Sequence, residues 1–256
     1  VFDDDLGTYL PRQLIAEKIK SASEKIPAGF GTPEMGPITT GLGEIYQYTL
    51  EVKPEFKNQY SVTDLRTIQD WVIKRQLSGI KGVVEINTWG GYLKQYEIAI
   101  NPVQLKAMNI STTDVFTALE NNNSIAGGAY IEKVNQSYFI RAEGKVKSLA
   151  DIGEIVVINT NGIPIYIKNV ANLRFGSANR FGAITGNGEG EKVLGQVMML
   201  KDANSKQVIN DVKSRITEIQ KSLPEGVYIN GFLERSELVG KTTFTVAENL
   251  ILGCLV

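Results

Sequence analysis

Residues Ile216–Phe232 read ITEIQKSLPEGVYINGF, and residues Ile19–Met35 read IKSASEKIPAGFGTPEM. Each is the end of an amphipathic helix, then Ile/Leu-Pro-x-Gly, then an extended segment. Proline cannot continue a helix and glycine closes it, so both stretches stop a helix and release a strand. Working outward, the helix before Pro224 carries Ile209, Val212, Ile216, Ile219 and Leu223 at helical spacing. It is preceded by VLGQVMML, an apolar run of strand length, and followed by VYINGFL. The helix before Pro27 carries Ile15, Ile19, Ala22 and Ile26, and leads to GLGEIYQYTLEV, where Tyr46, Tyr48, Leu50 and Val52 alternate on one face. A third copy of this order is centred on a helix from Asp64, with Leu65, Ile68 and Val72 inward and Trp71 and Leu77 beside them. Gly79 and Gly82 end it, and GVVEINTWGGYLKQYEIAI continues as strands. Three strand-helix-strand units predict an α+β fold of ferredoxin-like βαβ halves, the second and third pairing into one sheet and the first left without its partner.

Between them lies a different texture. Asn101 and Ser111 are positioned to cap short helices, NNNSIAGGAY is a polar, glycine-rich loop, and AYIEKVNQSYFIRAEG reads as a hairpin about Asn135-Gln136. EIVVI and IPIYI are strands joined by the turn signal Asn161-Gly162. The domain expectation is therefore 1–50, 51–94 with 180–235, a strand-rich insert 95–179, and a closing segment 236–256.

Composition bounds the chemistry. The 256 residues are 43% apolar, enough for real cores, and 27 basic against 28 acidic residues leave a net charge of −1. Such a balance gives no footing for nucleic-acid binding. With no histidine and the single cysteine Cys254, intrachain disulfides, zinc-finger sites and histidine-dependent catalytic triads are excluded. GNGEGEK has glycines and a lysine, yet no Ser or Thr follows Lys192 and a strand follows instead of a helix, so it is no phosphate loop. The chain opens on VFDDDLGTYLPRQL and closes on the apolar run Leu250–Val256, too short to span a bilayer; both ends read as cuts in a longer protein, the alternative for the second being a helix packed on the core.

Several strings carry a resemblance: MGPITTGLGEIYQY (Met35–Tyr48), LRTIQDWVIKRQL (Leu65–Leu77), GVVEINTWGGYLKQYEI (Gly82–Ile98), AGGAYIE (Ala126–Glu132), NGEGEKVLG (Asn187–Gly195), LPEGV (Leu223–Val227) and ERSELV (Glu234–Val239). With the order of units, they resemble the periplasmic porter region of resistance-nodulation-division efflux pumps, within the heavy-metal branch and the cobalt-zinc-cadmium pumps. The resemblance covers essentially the whole chain. It implies that 1–50 is the second half of a first porter subdomain, 51–94 with 180–235 a second porter subdomain, 95–179 a docking subdomain, and 236–256 a connector and the start of a membrane helix. It implies a proton-driven transporter, not an enzyme. The pump would be a homotrimer of the inner membrane with this portion in the periplasm, working with a periplasmic adaptor and an outer-membrane channel, with the membrane reached through segments absent here. No cofactor is implied; a divalent cation is the cargo.

Two acids are candidate ligands. Glu44 shares the parity of Tyr46 and Tyr48, and a core-facing carboxylate is costly unless paired or bound to a cation. Copper-silver pumps resemble this string but tend to carry an aromatic residue at the matching place. Asp70 stands off the Leu65-Ile68-Val72 stripe and faces either a cleft or Lys74 at i+4. Met198 and Met199, adjacent on a strand, point to opposite faces and cannot clamp one soft ion, so packing is the role read for them and for Met35 and Met108. The Asn135 hairpin and the loop 121–128 are read as contacts to a neighbouring protomer. Alternatives are a copper/silver or drug exporter of the same superfamily and a stand-alone periplasmic binding or assembly module.

Overall fold

The structure, a computed structural model, describes residues 2, 6–27, 29–123, 125–133, 136–160 and 162–255. The acidic run Asp3–Asp5, Asn135 of the hairpin turn, Asn161 of the Asn-Gly turn and Ser124 of the loop 121–128 lie outside the described residues. Contacts divide the chain into two units: residues 1–60, 68–89 and 192–256, and residues 61–67 and 90–191.

The first unit is built on one antiparallel sheet. Its strands are β1 (Glu44–Val52), β2 (Val83–Trp89), and two later ones, Glu191–Met199 and Val227–Glu234, which become β10 and β11 once the intervening strands are counted. The spatial order is β11-β1-β10-β2. Taken with the helices between them, this is the βαββαβ order 4-1-3-2 of a ferredoxin-like domain, its second half separated from its first by the intervening chain. The sequence reading ends its first subdomain at residue 50, within this strand. In the structure β1 sits between β10 and β11, with Leu50 opposite Val193 on one side and Ile229 on the other. A strand with two partners and a buried face belongs to the sheet that buries it.

Helix α1 (Tyr9–Ser23) precedes β1 and ends three residues before Ile26. The predicted stripe is not buried along it: Ile19 is half-buried, and Ile15 and Ile26 are exposed. Between β1 and β2 the chain forms α2 (Val62–Ile68), a π-helical turn (Gln69–Ile73) and α3 (Lys74–Leu77). The inner positions are Leu65, Gln69, Ile73 and Leu77, not Leu65, Ile68 and Val72. The wider π turn shifts the face by holding these residues four apart, so Ile68 and Val72 are only half-buried and Trp71 is 59% exposed.

The cleanest predicted stripe fares better. The helix Ser205–Gln220, α8 in chain order, is capped by Asn204, whose side chain accepts from Gln207 N, and buries Val208, Ile209, Val212 and Ile219. Its last turn is tied to the sheet edge, because Gln220 Nε2 donates to Val227 O at 2.9 Å and Ile229 N donates to Gln220 Oε1 at 2.9 Å. Gly226 then turns the chain with φ of 84°, and a β-carbon there would lie 2.3 Å from the Phe56 ring. This is the physical content of the Pro-x-Gly corner after Leu223. Helix α9 (Arg235–Leu255) follows β11; among the described residues no helix is long and apolar enough to cross a membrane.

The second unit has its own cores. Strand β3 (Lys94–Ile100) pairs with β8 (Ala171–Ser177), β4 (Ile125–Lys133) with β5 (Gln136–Glu143), and β6 (Val156–Thr160) with β7 (Ile163–Tyr166). Short helices α4 (Pro102–Ala107), α5 (Thr112–Asn121), α6 (Leu149–Gly153) and α7 (Ile167–Val170) fill in behind them. The predicted caps form: Asn101 accepts from Val103 N and Gln104 N, and Ser111 closes a capping box with Asp114. Ala118, Ile152, Ile155, Ile167 and Ala171 make one cluster, and Leu105, Ile110, Val115 and Val170 another. The two-residue strand β9 (Ile184–Thr185) completes the count.

Glycine and tyrosine interlock at the centre of the first unit. A β-carbon on Gly195 would stand 2.2 Å from the Tyr48 ring, and one on Gly231 would stand 2.0 Å from the Tyr46 hydroxyl. Gly195→Ala should therefore destabilise the chain by about 1–3 kcal/mol through overpacking. Urea unfolding checks this; an unchanged midpoint would mean the ring is not held over the glycine.

Candidate functional site

Alternation along β1 sends Tyr46, Tyr48 and Leu50 toward the helices and Gln47, Thr49 and Glu51 to the other face of the sheet. Tyr48 is 0% exposed, and its hydroxyl donates to Gln69 Oε1 at 3.0 Å. Gln69, also 0% exposed, donates from Nε2 to Thr88 Oγ1 at 3.4 Å. This relay joins the helix layer to two strands through polar atoms alone. It was missed at the level of sequence, although Gln69 lies four residues from both Leu65 and Ile73, the spacing of a core position.

Asp70 follows Gln69 in the π turn and is half-buried. Its charge reaches Tyr48: the hydroxyl's pKa is raised chiefly by burial, with smaller contributions from Tyr46 and Asp70, against the bond to Gln69. Tyr46 is raised likewise, first by burial and then by Glu234. Asp70 thus works from the helix side of the sheet.

Glu44 does not follow the predicted parity. Its register partner is Met198 while Tyr46 pairs with Val197, so a β-bulge falls at Ile45. The bulge buries Ile45 and Tyr46 in succession and turns Glu44 outward, where it is exposed. Its Oε2 accepts from Gln47 Nε2 at 3.3 Å. Glu44 and Asp70 therefore belong to opposite faces of the sheet and are not brought together. Among the described residues no three acids or cysteines are grouped closely enough to hold a metal ion.

The face that carries Glu44 holds several polar side chains alongside the Leu194–Trp89 pair. Gln196 Oε1 accepts from Asn87 Nδ2 and Trp89 Nε1, each at 3.5 Å. Further along, Lys192 Nζ donates to Glu51 Oε2 at 2.5 Å and Thr49 Oγ1 to Glu51 Oε1 at 2.8 Å, with the two charged side chains only 11% and 14% exposed. Met198 lies opposite Glu85 and Met199 opposite Val83, with a register shift between them.

The chain matches known proteins in both sequence and shape. The sequence matches the AcrB/AcrD/AcrF family over residues 1–256. The chain belongs to that family. Protein HelA of Legionella pneumophila is 43% identical over 257 residues, and the cobalt-zinc-cadmium resistance protein CzcA of Cupriavidus metallidurans is 41% identical over 259. In each case all of this chain is covered, and it spans 24% of the relative's length. A crystal structure of a heavy metal efflux pump superposes with a TM-score of 0.84 at 29% identity, over 98% of this chain and 24% of that one. The fold of this AcrB/AcrD/AcrF member is accordingly that of the pump's matching portion.

Tyr48→Phe leaves the Gln69 carboxamide oxygen buried without a donor and should cost about 1–3 kcal/mol, part of which Tyr48→Phe with Gln69→Leu should recover. A pH effect accompanies it. Because the folded pKa of Tyr48 lies above the ordinary value near 10, the unfolded chain ionises first and stability falls as pH rises beyond about 10. Tyr48→Phe removes this contribution, so its alkaline loss should be shallower. Unfolding curves from pH 8 to 11.5 test both; equal alkaline slopes would refute the burial of an ionisable hydroxyl.

Proposed function

We propose that this chain is a periplasmic part of a proton-driven heavy-metal cation efflux transporter of the cobalt, zinc and cadmium type. What carries the reading is the 41% identity to CzcA across the entire chain. The chain does no covalent chemistry in this scheme. It forms part of the cargo path and of a docking surface, in an inner-membrane homotrimer that engages a periplasmic adaptor and an outer-membrane channel. The cation is cargo and not a resident cofactor. Proton coupling is assigned to other parts of the transporter.

In this proposal the β11-β1-β10-β2 sheet and its helices are the second porter subdomain, now including β1; residues 1 to about 43 belong to the first, 95–179 to the docking subdomain, and 236–256 to the connector toward the membrane. Glu44 is the first cargo ligand. Supporting it are its exposure at the start of a central strand and the ability of carboxylate oxygens to ligate zinc. Asp70 is the second acid proposed on the path, contacting cargo separately from Glu44, since the sheet lies between them.

A pump-deficient bacterium expressing the full transporter, with its own adaptor and channel, should gain tolerance to zinc, cobalt or cadmium. Glu44→Ala should abolish most of that gain at equal protein level. Protection against copper or silver alone would overturn the divalent reading and leave Glu44 a structural acid.

A further inference from the structure

We propose that Met198 and Glu85 join Glu44 in one row of cation donors across three strands, on the face of the sheet turned away from the helices, and that the Met198 thioether biases this row toward softer divalent ions. The proposal rests on the reading of Glu44 as a cargo ligand. It comes from the strand register. Met198 lies opposite Glu44 on β1 and opposite Glu85 on β2. Val197 and Ile86, the register pair beside them, are buried under the helices, so Met198 and Glu85 project to the other face. The bulge at Ile45 places Glu44 on this face too. The same bulge that breaks the predicted parity therefore aligns the three side chains.

Neighbouring strands stand about 4.8 Å apart, so the backbones of Glu44 and Glu85 are roughly 10 Å apart with Met198 midway. Two glutamate side chains leaning inward bring a cation over the thioether. Glu85 and Met198 are half-buried and Glu44 is exposed, which leaves the row partly screened yet reachable. The adjoining row is Gln47, Gln196 and Asn87, and Gln47 donates to Glu44, steadying the outer carboxylate. The donor set is mixed: two hard carboxylates suit zinc and cobalt, and one thioether adds affinity for a softer ion such as cadmium. Met198 acts alone here, so the divergence of Met199 is no obstacle.

The test is equilibrium titration of the 256-residue chain with cadmium chloride and zinc chloride, alongside Glu44→Gln, Glu85→Gln and Met198→Leu, each checked by circular dichroism and thermal melting. Met198→Leu nearly conserves volume and should fold. The expected result is one cadmium per chain, bound more tightly than zinc. Met198→Leu should weaken cadmium about tenfold and leave zinc within about twofold, while Glu85→Gln should weaken both about tenfold. An unchanged cadmium-to-zinc ratio in Met198→Leu overturns the role of the thioether. If Glu44→Gln alone weakens binding, the row is wrong and Glu44 stands as a ligand without it. If Glu44→Gln binds as the parent does, the Glu44 reading falls, and the row with it.

Discussion

The hydroxyl of Tyr48 and the carboxamide of Gln69 meet in a part of the molecule that water does not reach, and the first unit is arranged around that meeting. A buried amide is tolerable only when its donors and acceptors are satisfied, and Gln69 is satisfied on one side by β1 and on the other by β2. The helix layer is therefore keyed to the sheet at one rotation and one height. Sliding it by a turn would bury an unpaired amide, whereas a wholly apolar stripe would tolerate several positions. The glycines facing the two tyrosines complete the lock, because a ring over a bare backbone can lie flat only where no β-carbon intervenes. The π turn that begins at Gln69 belongs to the same arrangement, since it holds Gln69, Ile73 and Leu77 on the side facing the sheet.

Much of this was legible from periodicity. The alternation of Tyr46, Tyr48 and Leu50, the stripe of α8 and the two capped helices of the insert all follow from local rules that tertiary structure did not override. The helix-stop-strand at Leu223 is a true corner, held by Gly226 against Phe56. What stayed hidden is of a different kind. Which sheet a strand joins is a long-range fact, and β1 takes both partners from residues more than a hundred positions away. A π turn carries no residue signature, so the inner face of the second helix was read one position off. Gln69 was passed over because a polar side chain in a core position becomes intelligible only when its partners are seen.

The geometry of the proposed site was not legible in the sequence. Glu44 drew attention because it stood at core parity, and that reason is void: a bulge at Ile45 puts it on the opposite face. A one-residue insertion reverses the sidedness of everything beyond it in a strand, and nothing in GEIYQY announces one. The consequence is a change of argument as well as of direction. Burial no longer supplies a reason for Glu44 to bind a cation.

That outer face and the helix-covered face divide the work of the sheet. On the helix side, the Tyr48–Gln69–Thr88 relay holds one packing arrangement in place. On the outer side, amides, carboxylates and a thioether stand in register rows from β1 through β10 to β2. Side chains on a central strand have backbones immobilised by two neighbours, which is the condition for presenting ligands at a set spacing.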